Sequence, residues 1–385
     1  MEKIRIFAQN TTMIHRAIVP SILSSFGRKK VVVLLGARQV GKTTLLDELR
    51  QRGSHVLRLN CDNMDEAIQI EKRSSTELRN LLSPYDMVFI DEAQRVKDIG
   101  LTLKMIGDLK LDTQVIATGS SSLNLADEIN EPATGRLTEF KLYPLSLGEL
   151  AADRSELEER RMLPQRMVYG LYPEVVTDFG FAKRTLTDLT NNYLYKDLFM
   201  YKGIKKPVVL QKLTRALALQ LGCEVSYNEL SNLLEVDKET VENYIYLLEQ
   251  CFIVFRLDSF NRKVDNEIKK GKKIYFYDNG VRNALLANFA PLELRTDAGA
   301  LWENLMVSER MKRNAYRQSY AITHFWRTRT QSEIDLVEEE DGQLRTFEFK
   351  WRPTRQCRQP RAFAEAYPGS TFEVVTPDNF WDFVR

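Results

Sequence analysis

Apolar and polar positions alternate in two rhythms over the first third of the chain. Val31 to Leu35 is an unbroken apolar run, the pattern of a strand buried on both faces, and Leu45, Leu46 and Leu49 then recur at helical spacing. Further strands are expected at His55–Asn60, Asp86–Asp91 and Gln114–Thr118. Between them lie helical stretches, one opened by the capping box Ser74-x-x-Glu77 and reaching Leu82, another over about residues 97–109. A helix from Met13 to Phe26 should lead in. Strands alternating with helices predict an α/β fold, a parallel sheet covered on both faces.

After Leu145 the rhythm changes. Residues 146–205 read as helical, with polar stretches such as Asp153–Arg161, and would form a lid or linker. Two amphipathic helices are expected at Ser226–Leu234, with Leu230, Leu233 and Leu234 on its stripe, and at Asp237–Leu248, with Val241, Ile245 and Leu248. The β-rich runs Phe252–Phe260 and Lys272–Tyr277 follow, so residues 206–289 predict a winged helix. From residue 290 to 385 a helix (about Ala298–Arg313) precedes short strands. The expected domains are therefore an arm (1–12), a nucleotide-binding core (13–145), a helical lid (146–205), a winged helix (206–289) and a C-terminal α/β domain (290–385).

Composition narrows the class. A chain of 385 residues, 43% hydrophobic and 28% charged, has room for two or three globular domains. Its net charge of +2 means that affinity for nucleic acid must come from local clusters. The four cysteines are far apart and match no metal spacing, and three histidines exclude a histidine-rich metal site. No apolar run has signal-peptide or membrane-spanning length, so a cytoplasmic protein with no membrane partner is expected.

The chemistry starts at Gly36-Ala37-Arg38-Gln39-Val40-Gly41-Lys42-Thr43, which fits G-x-x-x-x-G-K-S/T between a strand and a helix. Backbone N–H groups of such a loop, continued by Thr44, face inward at the positive helix end and cradle phosphates. Lys42 would reach the β- and γ-phosphates, and the Thr43 hydroxyl would ligate Mg²⁺. Asp91 and Glu92 end a neighbouring strand, where ligands of parallel sheets bind. Asp91 would hold the metal and Glu92 would deprotonate the attacking water. Thr118 or Ser120, past the next strand, would sense the γ-phosphate. ATP and Mg²⁺ are the expected cofactors; GTP is a minor alternative, since no Asn-Lys-x-Asp occurs.

In order, GARQVGKTT, MVFIDEAQR, VIATGSSS, TGRLTEFKLYPLSLGEL, GLYPEVV (Gly170–Val176) and Leu194–Leu198 resemble the archaeal-type AAA+ ATPases that carry a fused C-terminal region of unknown function. The resemblance spans nearly the whole chain. It implies that Arg136 is an arginine finger acting across a subunit boundary, and hence a homo-oligomer, a dimer or a ring as large as a hexamer. A surface ion pair is the alternative role for Arg136.

Arg262, Lys263, Lys269, Lys270, Lys272 and Lys273 outnumber Asp265 and Glu267 in the expected wing, which suits DNA phosphates. The second helix is acidic, with Asp237, Glu239, Glu242 and Glu249, which argues against base reading, and winged helices also pack against proteins. Toward the end, Ser332–Val337 and Gln343–Lys350 flank an Asp341-Gly342 hairpin turn. Closing it there sets Asp335 opposite Glu348 and Glu333 opposite Lys350, all on one face, with Ile334, Leu336, Phe347 and Phe349 on the other. Facing carboxylates about 5 Å apart repel and call for a cation.

Asp plus Glu-x-Lys is the arrangement of restriction-endonuclease-like (PD-(D/E)XK) nucleases, and WENL, HFWRT and EIDLV extend the family resemblance. It implies metal ligands Asp335, Glu348 and Glu303, with Lys350 stabilising charge or positioning water. Arg352, Arg355, Arg358 and Arg361 recur every third residue beyond it, interrupted by Pro353 and Pro360. The leading expectation is a Mg²⁺-dependent ATPase that engages DNA, with or without cleaving it. The alternative is an ATP-dependent signalling switch of the STAND type whose C-terminal domains bind proteins.

Overall fold

The computed structural model describes residues 13–120, 135–194, 204, 206–260, 271–328, 330, 332–352 and 357–385. The arm 1–12, Ser121, Ser122, Thr134, Tyr195–Leu198, the residues Arg262, Lys263, Asp265, Glu267, Lys269 and Lys270 of the expected wing, and Pro353 and Arg355 lie outside them.

Five parallel strands form the first sheet: β1 (Val31–Leu35), β2 (Val56–Asn60), β3 (Met87–Asp91), β4 (Gln114–Gly119) and β5 (Leu137–Lys141), in the order β2-β3-β4-β1-β5. Every residue of β1, β3 and β4 is buried, as their apolar runs require. The arrangement, with a phosphate-loop motif after its first strand, is that of a P-loop AAA-type fold.

The entry helix is shorter than expected. Only α1 (Val19–Leu23) forms, because Pro20 lies in its first turn and cannot sit inside a longer helix. α2 (Lys42–Arg50) follows the loop; α3 (Ser75–Leu82) starts at the capping box of Ser74 and Glu77; α4 (Ile99–Asp108) precedes β4. Downstream, α5 (Leu147–Asp153) and α6 (Glu156–Tyr169) bury Leu147, Leu150, Leu163 and Met167 in the core of the C-terminal half.

A second, seven-stranded sheet joins β6 (Glu224–Val225), β7 (Val254–Ser259) and β8 (Lys272–Phe276) to β9 (Ile322–Arg327), β10 (Glu333–Glu340), β11 (Gln343–Phe349) and β12 (Thr371–Val375). Their order is β12-β11-β10-β9-β7-β8-β6. The link is a parallel pair, Asp258 with His324 and Ser259 with Phe325. One sheet therefore runs across the junction at residues 289 and 290. Helices α7 (Tyr227–Leu234) and α8 (Lys238–Gln250) stand before the β7–β8 hairpin, and α9 (Ala298–Tyr316) lies between β8 and β9 in the chain.

Gly170, in GLYPEVV, has a structural cause. Its φ is +71°, and a Cβ there would lie 2.1 Å from Asp278 Oδ1. The buried Asp278 carboxylate accepts the Leu171 N–H at 2.7 Å, while Leu171 O accepts the Leu145 N–H. Tyr143 stacks on Tyr277 at 5.4 Å and meets Tyr316 at 5.9 Å, joining the two sheets through aromatic packing. Among the described residues no helix is long and apolar enough to cross a membrane.

Candidate functional site

The phosphate loop turns back on itself at Gln39 (φ +61°) and Gly41 (φ +96°) and opens onto the N-terminus of α2. Gly36 is required by crowding, since a Cβ there would lie 2.3 Å from the Leu142 carbonyl. Lys42 is buried and donates to Gly36 O at 2.8 Å and Ala37 O at 3.0 Å. Its ammonium thus folds back over the loop. Val40 is buried and Arg38 half-buried, while Gln39, Thr43 and Thr44 are exposed.

Asp91 ends β3 with its carboxylate buried. It accepts from Thr43 Oγ1 at 3.3 Å, from Thr118 Oγ1 at 2.6 Å and from Arg58 Nη2 at 2.9 Å. Glu92 follows at φ +53°, and its backbone N–H donates to Thr118 Oγ1 at 3.0 Å. Gln94 Nε2 bridges Glu92 Oε2 (2.5 Å) and Ser120 Oγ (3.0 Å). Thr118 thereby fixes Asp91, and Ser120 reaches Glu92 only through Gln94.

Three members of this site were not anticipated. Arg58 left one sign, a cation in the apolar strand VLRLN; it also pairs with Asp47 at 3.0 Å. Gln94 left none beyond its place after Asp-Glu. Arg16 could not be found from sequence: buried, it donates to Val40 O in the loop at 2.7 Å, to Tyr143 O at 2.6 Å and to Glu149 Oε1 at 3.1 Å. Next to the loop lies a cavity of about 350 Å³ lined by Met13, Ile14, Thr44, Leu145, Pro173 and Glu174, among others.

Arg136 stands elsewhere. Its carbonyl accepts from Val31 N, at the opposite end of β1 from the loop, and its guanidinium pairs with Asp108 at 2.6 Å on the surface. Five strand residues, about 16 Å, separate the two ends. Within one chain Arg136 is the partner of Asp108 and cannot reach the loop.

In the second sheet, β10 and β11 pair from Leu336–Phe347 to Glu340–Gln343, in the expected register, and Asp341 and Gly342 both have positive φ. Ile334, Leu336, Phe347 and Phe349 are core. No β10–β11 ladder pair precedes Leu336–Phe347, so neither Asp335–Glu348 nor Glu333–Lys350 is a ladder pair, and β10 is irregular against β9 between Ile334 and Val337. Lys350 Nζ instead pairs with Glu348 Oε1 at 2.6 Å, and Asp335 Oδ2 accepts the Phe349 N–H at 2.9 Å.

The cation among these acids is Lys273, expected on the wing. It lies in β8, 1% exposed, with Nζ 2.5 Å from Glu333 Oε1, 3.0 Å from Glu303 Oε1 and 3.8 Å from Asp335 Oδ1. Lys272, its neighbour on the other face, pairs with Asp258 at 3.5 Å. Tyr275 Oη donates to Glu303 Oε1 at 2.7 Å. Burial, together with the charge of Asp335, pushes the Glu303 carboxyl up to about 7. Burial also raises Asp335 and Glu348. Burial alone would lower Lys273, but Glu303, Asp335 and Glu333 outweigh it and hold the ammonium above an ordinary lysine. Among the described residues no group of three acidic, cysteine or histidine side chains is arranged to hold a metal ion. With Lys273 at its centre, the donor set of Glu303, Asp335 and Glu348 does not fit one.

Comparison with known proteins agrees with the first sheet. Residues 28–151 match a family described as an AAA domain, while residues 160–292 and 298–379 match two families described as domains of unknown function, DUF8612 and DUF4143. An uncharacterized protein of Haemophilus influenzae is 26% identical over 287 residues, 68% of this chain and 71% of that one. One from Mycobacterium tuberculosis is 27% identical over 331 residues, 84% of this chain and 70% of that one. A Walker-type ATPase of Pyrococcus abyssi is 16% identical with a TM-score of 0.49, covering 71% of this chain and 96% of that structure.

Proposed function

We propose that this chain is a cytoplasmic, Mg²⁺-dependent ATPase of AAA type whose turnover is coupled to DNA held by its C-terminal half. The observation that carries the reading is the convergence of Lys42, Thr43, Asp91, Glu92 and Thr118 at one end of the parallel sheet. Thr43 Oγ1 and Asp91 Oδ2, 3.3 Å apart, are oxygen donors suited to a hard divalent cation, and these two residues would hold Mg²⁺. When bound, such an ion would supply positive charge against the phosphates.

The chain's own groups do the rest. Lys42 leaves the Gly36 and Ala37 carbonyls for the phosphates, and the loop amides from Gly36 to Thr44 surround them. Glu92, steadied by Gln94 and Thr118, orients the attacking water and takes its proton. The adjoining cavity, walled by Met13, Ile14, Leu145 and Pro173, takes the adenine. Arg136 serves the site of a neighbouring subunit in a homo-oligomer.

The DNA reading draws on the basic wing. Of its two described basic residues Lys273 is buried, and Lys272 lines, with Lys238, Tyr227 and Arg327, a groove of about 740 Å³ that also carries Glu224, Glu229 and Glu242. Three cations face three carboxylates there, so the positive surplus that phosphates need must come from the rest of the basic wing sequence. Because the carboxylate cluster does not fit a metal, binding without cleavage is the reading we favour. Leu233 on α7 and Tyr246 on α8 are exposed, which favours a second reading, an ATP-timed switch that docks a protein.

An ATPase assay with and without DNA tests the proposal. Lys42→Ala should abolish nucleotide binding and turnover; unchanged activity removes the assignment. DNA binding that weakens steeply with salt supports the first reading, whereas salt-insensitive, weak binding supports the second.

A further inference from the structure

We infer that Lys273, and not a divalent metal ion, is the resident cation of the C-terminal carboxylate cluster, which acts as an ion-pair latch closing the β7–β8 hairpin onto α9 and β10. The three carboxylates around its ammonium come from two separate elements, Glu303 from α9 and Glu333 and Asp335 from β10. Lys273 itself belongs to neither. It is delivered by β8, and its side chain is almost wholly withdrawn from solvent. A buried ammonium needs compensating charge and hydrogen bonds, and here it has both.

The position is the one a metal would need. Three carboxylates converging from a helix and a strand demand a positive charge, and the ammonium stands within 3.8 Å of an oxygen from each of Glu303, Glu333 and Asp335. A divalent ion and an ammonium cannot share that centre, since their charges repel at contact distance. The remaining pair, Lys350 with Glu348, is closed on itself at 2.6 Å. Arg327 caps the outer side, with Nε 3.7 Å from Glu333 Oε2 and Nη1 3.5 Å from Glu224 Oε2. The strand order β9-β7-β8 explains why the lysine arrives there: the hairpin is built into the same sheet as the cluster.

The latch is read by metal binding, independently of ATP turnover. Nucleotide-free full-length protein is titrated with Mn²⁺ and followed by electron paramagnetic resonance, with Asp91→Asn in every sample to silence the phosphate-loop site. The protein with Lys273 intact should take up no Mn²⁺ at the cluster. Lys273→Gln should gain one equivalent, and adding Asp335→Asn should remove it. Mn²⁺ uptake with Lys273 in place that Asp335→Asn abolishes overturns the inference, whatever the lysine variant does. So does a folded Lys273→Gln, by circular dichroism, that binds none. Loss of the ATPase assignment would leave these outcomes unchanged, so the two ideas fail separately.

Discussion

Arg16 and Tyr316 stand 300 positions apart and meet beneath the phosphate loop, with Arg16 Nη2 3.3 Å from the Tyr316 hydroxyl. That hydroxyl also accepts the Tyr143 N–H at 3.1 Å. Farther back along α9, Glu309 accepts the Leu147 N–H and Lys312 donates to Leu145 O, so the C-terminal half of the helix is clamped to the exit from the first sheet. Glu303, in the carboxylate cluster, lies on the same helix about 20 Å away at 1.5 Å per residue. One rigid element therefore touches both the loop surroundings and the cluster.

Removing Arg16 leaves Glu149 buried without its cation. Arg16→Ala should cost about 3–5 kcal/mol in urea unfolding, whereas Tyr316→Phe, which loses two hydrogen bonds but keeps the ring, should cost about 1–3 kcal/mol. Equal, negligible losses would show that the junction carries no stability.

Glu92 is expected to act in turnover and not in affinity. Glu92→Gln should bind ATP as tightly as the wild type while hydrolysing it some 10²–10⁴-fold more slowly, as loss of a general base requires. Equilibrium binding of a fluorescent ATP analogue beside a phosphate-release assay separates the two; undiminished turnover would strip Glu92 of this role.

On the proposed reading Arg136 serves a neighbour's site, because it lies at the far end of the sheet from its own loop. Arg136→Ala and Lys42→Ala should each be inactive alone, and a mixture should recover part of the activity, since mixed assemblies contain some intact sites. A mixture as silent as its parts, with subunit exchange verified, would leave Arg136 as the surface partner of Asp108.

Asp297, just before α9, accepts from Arg282 at 2.6 Å and from Arg295 at 2.8 Å. Burial opposes its charge, but those hydrogen bonds and charges win and lower the carboxyl from 3.8 to about 2. A depressed folded-state value means stability present above 3.8 and lost as pH falls toward 2. Asp297→Asn should thus be less stable by about 2 kcal/mol near neutrality, with the gap closing across that acid window. Urea titrations at stepped pH measure it, and a gap independent of pH would contradict the assignment.

The register of the β10–β11 hairpin was legible because a two-residue turn and a period of two fix it locally. The irregularity of β10 between Ile334 and Val337 was not, since it arises against β9, a strand the hairpin itself does not encode. The entry helix is confined to Val19–Leu23 because Pro20 fits only its first turn, a limit that the apolar spacing over Met13–Phe26 does not express.

By itself the sequence determined the parts whose physics is local: the buried strand Val31–Leu35, the loop from Gly36 to Thr43, the acids ending β3 and the capping box at Ser74. Tertiary structure alone decided which distant groups meet. It brought Arg58 to Asp91 and Arg16 to Val40, and it moved Lys273 from an expected wing to the centre of Glu303, Glu333 and Asp335. The reason is that hydrogen-bond periodicity acts between near neighbours along the chain, whereas a buried charge is matched through space, by whatever opposite charge the sheet order carries to it.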